Sequence, residues 1–235
     1  VARAAGIKHA LAEPVFVDVE AETLGMSPQA LKAFLVENAS YKNGVTINKK
    51  TGKRIAAVVP MHTFGHPVRL EEISAICDEY GLMLIEDAAE SLGSTYKGKH
   101  TGTWGRAGIL SFNGNKPVTT GGGGMIISND EALAEKARHL STTAKRKHPW
   151  QFYHDEVGYN LRLPNINAAV GCAQMEYFDS TIKNKRETAE MYKAFFDNKN
   201  IPFFTEPQDC HSNYWLNVMF LKDREERDSF LEYSN

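Results

Sequence analysis

Apolar positions along this chain follow two periods, one typical of buried strands and one typical of helices with a single apolar face. Short apolar runs predict strands, and longer stretches with apolar residues three and four apart predict helices. The predicted strands cover residues 14–19, 55–59, 82–87, 108–112 and 124–128, and the predicted helices cover 27–39, 69–81 and 129–140. Strands and helices therefore alternate, which favours right-handed crossovers and a mostly parallel sheet.

Residues at the helix ends support these boundaries. Ser27 and Pro28 are suited to the N-cap and first turn of one helix, and Gly81 is suited to follow the last turn of the next. Asn129 is the expected N-cap of the helix that begins near residue 130. These signals predict where the helices begin and end without any knowledge of their partners.

The chain becomes mainly helical after about residue 164, and one late strand-like run, residues 214–220, hints at a second domain. We expect an α/β domain over residues 1–180, followed over 181–235 by a linking helix and the start of a smaller domain. The chain opens without methionine and stops inside a predicted helix. We therefore expect a piece of a longer protein, lacking part of the large domain at its N-terminal side.

The amino-acid composition argues against some classes of binding partner. Hydrophobic residues make up 42% of the 235, which is enough for a substantial core. The 27 basic and 29 acidic residues are intermixed, so no basic stripe indicates nucleic acid. The three cysteines lie far apart, which argues against disulfides and zinc knuckles, and the sequence shows neither an export signal nor a membrane-spanning run. We expect a cytoplasmic protein that binds neither nucleic acid nor membrane.

The stretch SFNGNKPVTTGGGG, residues 111–124, places Lys116 before four glycines. A phosphate-binding P-loop has its glycines before the lysine and a serine or threonine after it, whereas Pro117 follows Lys116 here. Two interpretations remain open at this point. Lys116 is either a solvated loop lysine or a lysine whose amine is itself the reagent.

Asp87 stands at the end of a predicted strand, where open α/β sheets bind ligands, and Glu90 follows three residues later. Asp87 could simply cap the next segment, or it could hold a positive charge at the sheet edge. A pair of hydrolytic carboxylates is a weaker alternative, because this spacing does not set them across a substrate. Asp87 together with Lys116 would match what pyridoxal phosphate (PLP) requires, an acid for its ring nitrogen and a Schiff-base lysine.

Three stretches carry a resemblance to a known family: residues 58–73, 82–126 and 148–176. They include EDAAE around Asp87, SFNGNK around Lys116 and GYNLRL around Asn160. In these motifs the chain resembles the DegT/DnrJ family of PLP-dependent nucleotide-sugar aminotransferases, and most of all its branch acting on UDP-4-keto-6-deoxy-N-acetylhexosamines for legionaminic-acid-type and bacillosamine-type sugars. The resemblance implies a fold-type I large domain, a mostly parallel sheet flanked by helices.

The resemblance also implies roles for individual residues. Lys116 would be the catalytic lysine that forms the Schiff base and moves the proton, and Asp87 would pair with the pyridinium nitrogen. Glu90 would contact the cofactor's phenolic oxygen, where many relatives carry glutamine; a glutamate would have to be protonated or bridged there. Ser111 would bind the cofactor phosphate. Asn160 would reach the same phosphate from the neighbouring subunit, with Arg162 as a second residue of that region.

The reaction implied is transfer of an amino group from L-glutamate to the C4 ketone of a UDP-linked sugar, by a homodimer with PLP as cofactor and no metal. Two alternatives stay open: a sugar dehydratase relative, although such relatives tend to replace the lysine, and a dimerising domain without activity. Neither the exact sugar nor the configuration at C4 follows from the sequence.

Other residues invite functional interpretations that the pattern does not favour. His62 and His66 are four apart, but Pro60 and Gly65 interrupt any helix, so a structural or pocket-lining role is favoured over a zinc site. The glycines at 121–124 are expected to give the backbone freedom beside Lys116. An aromatic loop cluster is a candidate for the sugar site, against a plain packing role: Trp150, Tyr153 and His154.

Overall fold

The computed structural model describes residues 2–235. The helices are α1 (Ala2–His9), α2 (Pro28–Asn38), α3 (Leu70–Glu79), α4 (Glu131–Ser141), α5 (Asn165–Met175), α6 (Phe178–Asp197) and α7 (Arg224–Ser234). The strands are β1 (Ala39–Lys42), β2 (Val45–Asn48), β3 (Arg54–Ile55), β4 (Ala57–Val58), β5 (Met83–Asp87), β6 (Thr95–Tyr96), β7 (Lys99–His100), β8 (Ala107–Ser111), β9 (Gly124–Ile127) and β10 (Cys210–His211). Within residues 2–235, no helix has both the length and the apolar character to cross a membrane.

The central sheet has the strand order β4-β5-β8-β9. β5 pairs in parallel with β4 and β8, whereas β9 returns antiparallel to β8. The predicted mostly parallel sheet is therefore confirmed, with one antiparallel edge strand. The register places Asp87 beside Ile109, so the carboxyl ends of β5 and β8 lie at one edge of the sheet.

The predicted helix caps are largely confirmed. Ser27 accepts a hydrogen bond from the backbone N–H of Ala30, and Pro28 occupies the first turn of α2. Gly81 follows α3 with φ 58°, a conformation that favours glycine. The predicted N-cap Asn129 is wrong by one residue, because the carboxylate of Asp130 accepts from Leu133 N–H and caps α4 instead.

Three predicted strands differ from the structure. Residues 14–19 form no regular strand and make only one bridge, Val19 to Met26. The run 55–59 is divided between the end of β3 and the two residues of β4. The run 214–220 begins with Tyr214 at φ 47°, outside the extended region, and only its Met219 bridges to Phe203. Apolar runs become strands only where a neighbouring strand supplies hydrogen bonds, and sequence period alone does not contain that information.

A fully buried carboxylate, Glu86, holds the turn between β7 and β8. It accepts hydrogen bonds from the backbone N–H groups of Gly102, Trp104 and Gly105 at 2.6–2.7 Å, and one from His62 Nε2 at 3.1 Å. Burial by itself would raise the pKa of Glu86, but His62 and the backbone donors outweigh burial and lower that pKa. Glu86 is thus a charged group whose hydrogen-bonding capacity is satisfied inside the fold.

We predict that Glu86→Ala lowers the free energy of unfolding by about 3 kcal/mol or more, because it leaves three backbone N–H donors and the buried His62 without their acceptor. Glu71→Ala is the matched control, since Glu71 pairs with Lys97 on the surface and should cost about 0.5 kcal/mol or less. Urea unfolding of both variants measures the difference. Equal losses would mean that the Glu86 hydrogen bonds add nothing to stability.

His66 joins the first part of the chain to the last. Its ring is buried between Phe204 and Tyr214, with centroids 4.7 and 5.1 Å away, and its Nδ1 lies 2.9 Å from Ser212 Oγ. Its Nε2 finds no hydrogen-bond partner among residues 2–235. Burial lowers the pKa of His66 to about 4, against a smaller opposing effect of Glu206.

This lowered pKa predicts a loss of stability in mild acid. Between pH 6.5 and about 4 the unfolded chain takes up a proton at His66 that the folded chain excludes, so stability falls as the pH falls through that window. The full effect is on the order of 3 kcal/mol. Urea unfolding at pH 7.5 and pH 5 should show a smaller pH difference in His66→Asn than in the parent. The exposed His211→Asn serves as control, and an unchanged pH difference in His66→Asn would contradict the prediction.

Candidate active site

The carboxyl edge of the central sheet brings two of the predicted site residues together. Asp87 ends β5 and Ser111 ends β8, the neighbouring parallel strand. The Asp87 side chain is 13% exposed; its Oδ1 accepts from Ala89 N–H at 3.2 Å, and its Oδ2 lies 3.3 Å from Arg3 Nε. One carboxylate oxygen is thus fixed by the local turn, and the other faces a cation.

Lys116 lies in the turn that follows β8, with its amine near a carboxylate and an aromatic ring. Its Nζ is 3.8 Å from Glu90 Oε1 and 3.4 Å from the centroid of the Trp215 ring. The lysine side chain is only 9% exposed. The interpretation of Lys116 as a solvated loop lysine is therefore wrong.

Electrostatic effects on the Lys116 amine act in opposite directions. Burial lowers its pKa, because the charged form loses water, and the carboxylates of Glu90 and Asp87 oppose this shift. The balance leaves the pKa of Lys116 below that of an ordinary lysine. A larger fraction of the side chain is then the free amine, the form that attacks a carbonyl carbon.

Glu90 is held in place by the backbone. Its Oε2 accepts a hydrogen bond from Phe64 N–H at 2.8 Å, which leaves Oε1 directed at Lys116. Phe64 has φ 59°, a left-handed conformation that costs energy for a residue with a side chain. This strained turn supplies the N–H group that orients Glu90.

The loop around Lys116 is shaped by Ser111 and by the glycines. Ser111 Oγ accepts from Asn113 N–H at 3.3 Å, a local turn contact. Gly121 and Gly123 have φ of 77° and 105°, as the glycine run led us to expect. A side chain at Gly123 would also collide with Leu163, which packs over this loop.

Two further residues of the site were missed by the sequence interpretation. β10 pairs with β6 and leads into the buried segment 212–215, which contains Asn213 and Trp215. Asn213 Nδ2 donates to the backbone oxygens of Glu90 and Leu92 at 2.8 and 2.9 Å. No local pattern marks these residues, because each reaches the site from about a hundred positions further along the chain.

Asn160 is not brought to Lys116. It lies exposed on a hairpin-like segment, residues 142–162, which we call the arm, where it bridges to Thr142. Trp150, Tyr153 and His154 lie on the same arm and are also exposed. His154 Nδ1 is 2.8 Å from the backbone oxygen of Thr143, which is an internal contact of the arm. His62 and His66, in contrast, are buried beside Glu86 and Ser212 respectively.

Arg162 lines an open cavity of about 530 Å³ on the arm. The lining is predominantly basic and consists of Thr142, Lys145, Arg146, Lys147, His148, Pro149 and Arg162. Arg146 is paired with Asp155 at 2.9 Å, whereas Lys147 and Arg162 make no ion pair within residues 2–235. Unpaired cations around a concave surface are suited to an anionic ligand.

Comparison with known proteins identifies the family of this chain. The model of the DegT/DnrJ/EryC1/StrS aminotransferase family matches residues 1–235. EpsN of Bacillus subtilis (strain 168), assigned as a pyridoxal phosphate-dependent aminotransferase, is 44% identical over 222 residues, which cover 94% of this chain and 54% of EpsN. The GDP-perosamine synthase of Escherichia coli O157:H7 is 37% identical over 222 residues, covering 94% of this chain and 56% of that protein.

Solved structures show the same fold. The aminotransferase TlmJ from Streptoalloteichus hindustanus superposes with a TM-score of 0.85 at 29% identity, covering 99% of this chain and 59% of TlmJ. A DegT DnrJ EryC1 StrS aminotransferase from Brucella abortus gives a TM-score of 0.84 at 25% identity, over 99% of this chain and 60% of that one. The predicted fold-type I architecture is confirmed, and the chain spans somewhat more than half the length of its relatives. It belongs to the DegT/DnrJ/EryC1/StrS aminotransferase family, whose members depend on PLP.

Proposed function

We propose that the protein containing this chain is a PLP-dependent aminotransferase that places an amino group on the ketone of a nucleotide-linked sugar. The observation that carries the proposal is the buried Lys116 amine, which lies 3.8 Å from Glu90 and whose pKa is also influenced by the charge of Asp87. More finely, we propose the C4 ketone of a UDP-linked 4-keto-6-deoxy-N-acetylhexosamine as acceptor and L-glutamate as donor. The relatives include GDP-perosamine synthases, so the nucleotide is the part of the proposal most in need of a direct test.

The residues at the sheet edge are chemically suited to PLP. Asp87 Oδ2 already faces a cationic N–H group, that of Arg3, and a protonated ring nitrogen is a donor of the same charge. The Lys116 amine is the group that would hold the cofactor covalently, and the Ser111 hydroxyl is a donor suited to a phosphate. PLP, when bound, carries the amino group and withdraws electrons from the reacting carbon.

Lys116 has the second task of moving a proton between the cofactor and the substrate carbon. Its lowered pKa suits this task, because an amine with a pKa nearer the working pH both accepts and releases a proton readily. Glu90 limits the shift, since its carboxylate favours the ammonium form. We propose that Glu90 also approaches the cofactor's phenolic oxygen, with a proton shared between the two oxygens.

The basic cavity of the arm supports a nucleotide diphosphate as part of the substrate. A diphosphate carries about two negative charges, and lysine and arginine bind it through charge-assisted hydrogen bonds. Lys147 and Arg162 are free to do so, as neither makes an ion pair in the described part of the chain. The cavity does not discriminate between UDP and GDP, because both carry the same diphosphate.

The arm also supports a homodimer. Several of its apolar side chains are largely exposed, Trp150 by 81%, Phe152 by 78% and Val157 by 83%. Large exposed apolar groups on a projecting segment are typical of an interface. We propose that Asn160 crosses this interface and binds the cofactor phosphate of the neighbouring subunit.

The substrate is tested by assaying the whole protein with L-glutamate and a panel of UDP-, GDP- and TDP-linked 4-keto sugars. We expect turnover with the UDP-linked 4-keto-6-deoxy-N-acetylhexosamine and little with the others. Turnover only of a GDP-linked sugar would overturn the UDP part and leave the reaction class intact. Absence of turnover with every sugar would reject the reaction class.

Substitutions of Lys116 and Asp87 are expected to affect rate more than fold. Lys116→Ala should lower kcat by roughly 10⁴-fold or more, because amine and proton carrier disappear together. Asp87→Asn should lower kcat by on the order of 10²-fold, as a neutral amide holds the ring proton less well. Lys99→Ala and the exposed Asp78→Asn are matched controls that should retain parental kcat. Near-parental activity in Asp87→Asn would assign the ring-nitrogen contact to another residue.

Subunit mixing tests the role of Asn160. Lys116→Ala and Asn160→Ala proteins, each impaired alone, should recover about a quarter of parental activity after exchange, since half the dimers then hold one intact site. Mixing Lys116→Ala with Asp87→Asn is the control without recovery, because both residues serve the same subunit's site. If heterodimers form and the first mixture stays inactive, Asn160 does not act across the interface.

A further inference from the structure

The Lys116 amine rests on the face of an indole ring that the reaction as proposed does not use. Lys116 Nζ is 3.4 Å from the centroid of the Trp215 ring, and the Trp215 residue is 9% exposed. A cation against an aromatic face is attracted by the ring's negative face, most strongly where water is excluded. Here the lysine amine lies at the ring face, and water is largely excluded because both side chains are mostly buried.

Trp215 is fixed at several points, so its ring cannot move away freely. Its Nε1 donates to the backbone oxygen of Asn115 at 2.7 Å, which attaches the ring to the loop containing Lys116. Its backbone N–H donates to Asn213 Oδ1 at 2.8 Å, and its carbonyl accepts from Lys185 Nζ at 3.3 Å. The indole is therefore held from both its side chain and its backbone.

The backbone that presents Trp215 is connected to the strand and loop that present Glu90. Asn213 donates to the backbone oxygen of Glu90 from its side chain and to Ser94 Oγ from its backbone N–H. Leu216 N–H donates to the oxygen of Phe64, whose own N–H holds the Glu90 carboxylate. Ring and carboxylate are thus positioned by one connected set of hydrogen bonds.

We propose that Trp215 is a positioning residue for Lys116: its indole face holds the free ε-ammonium group beside Glu90 whenever the lysine is not bound to the cofactor. The proposal rests on the function proposed above, in which Lys116 is released and rebound in every cycle. Lysine has a long flexible side chain, so a released amine would otherwise spread over many rotamers. The ring keeps the amine where it moves the proton and rejoins the cofactor.

The ring contact is tested in the cofactor-free whole protein labelled with [ε-¹³C]lysine. Protons above an aromatic face resonate upfield, so the Lys116 ε-CH₂ signal, identified by its loss in Lys116→Arg, should lie upfield of the surface lysines. Trp215→Leu should return that signal to the surface range, and Trp215→Phe should keep most of the shift. Trp104→Leu is the matched control: Lys99 Nζ lies 4.8 Å from the Trp104 ring, so this variant should move the Lys99 signal and leave that of Lys116.

A Lys116 signal in the surface range in the parent, or one unchanged in Trp215→Leu, would overturn the proposal. Thermal unfolding of each variant shows whether it is folded. If Trp215→Leu does not fold, the test still rests on the Lys116 signal in the parent and in Trp215→Phe. This experiment needs no turnover, so it decides the position of Lys116 even if the aminotransferase assay fails.

The consequence for the reaction is tested by separating kcat from KM. Trp215→Leu should lower kcat by on the order of tenfold, with KM for both substrates within about twofold of the parent. The isotope effect from an α-deuterated amino donor should rise, because proton transfer by a poorly placed amine becomes slower than the other steps. Trp215→Phe should restore most of kcat. Parental kcat and an unchanged isotope effect in Trp215→Leu would reject the positioning role.

Discussion

The site depends on the alternating direction of the side chains along β5. Glu86 and Asp87 are neighbours in one strand, so their side chains project to opposite faces of the sheet. Glu86 is fully buried and takes its hydrogen bonds from the turn before β8 and from His62. Asp87, on the other face, remains available at the sheet edge. The hydrogen bonds to the Glu86 carboxylate therefore fix the strand that also carries Asp87.

Glu86 also links the site to the next strand. The turn it holds, residues 102–105, leads directly into β8, and β8 ends at Ser111 five residues before Lys116. The position of the lysine therefore depends on the same buried charge as the position of Asp87. A carboxylate in the interior is costly unless every acceptor position is used, and here three backbone donors and a histidine use them.

The site is also held in place by a segment near the end of the chain, residues 212–215. The pairing of β10 with β6 brings the buried segment 212–215 against the loop after Asp87. Gly65 has φ 96°, and any side chain there would overlap the Asn213 amide. Two residues in the left-handed region, Phe64 and Tyr214, lie within this contact. Strain of this kind persists only where surrounding contacts over-determine the backbone.

The helix boundaries and the sheet edge at Asp87 were predictable from the sequence, because the interactions that determine them are local. Helix caps such as Ser27 and Gly81 act within one turn, and a strand end followed by Asp87 signals the sheet edge wherever the strand lies. Pairing partners are not local, so residues 14–19 were wrongly predicted as a strand. The sequence pattern predicts Trp215 within a strand, and its contact with Lys116 joins positions 116 and 215, which are far apart along the chain. The roles of the predicted site residues stay predictions: Lys116, Asp87, Glu90, Ser111 and Asn160.

The proposed reaction depends on Lys116 as the group that holds the cofactor. Its most direct test is to add PLP to the whole protein, reduce with borohydride and map the labelled peptide. We expect one pyridoxyl group per chain on Lys116, and none in Lys116→Arg. Label on Lys145, Lys147 or Lys185 with Lys116 unmodified would contradict it.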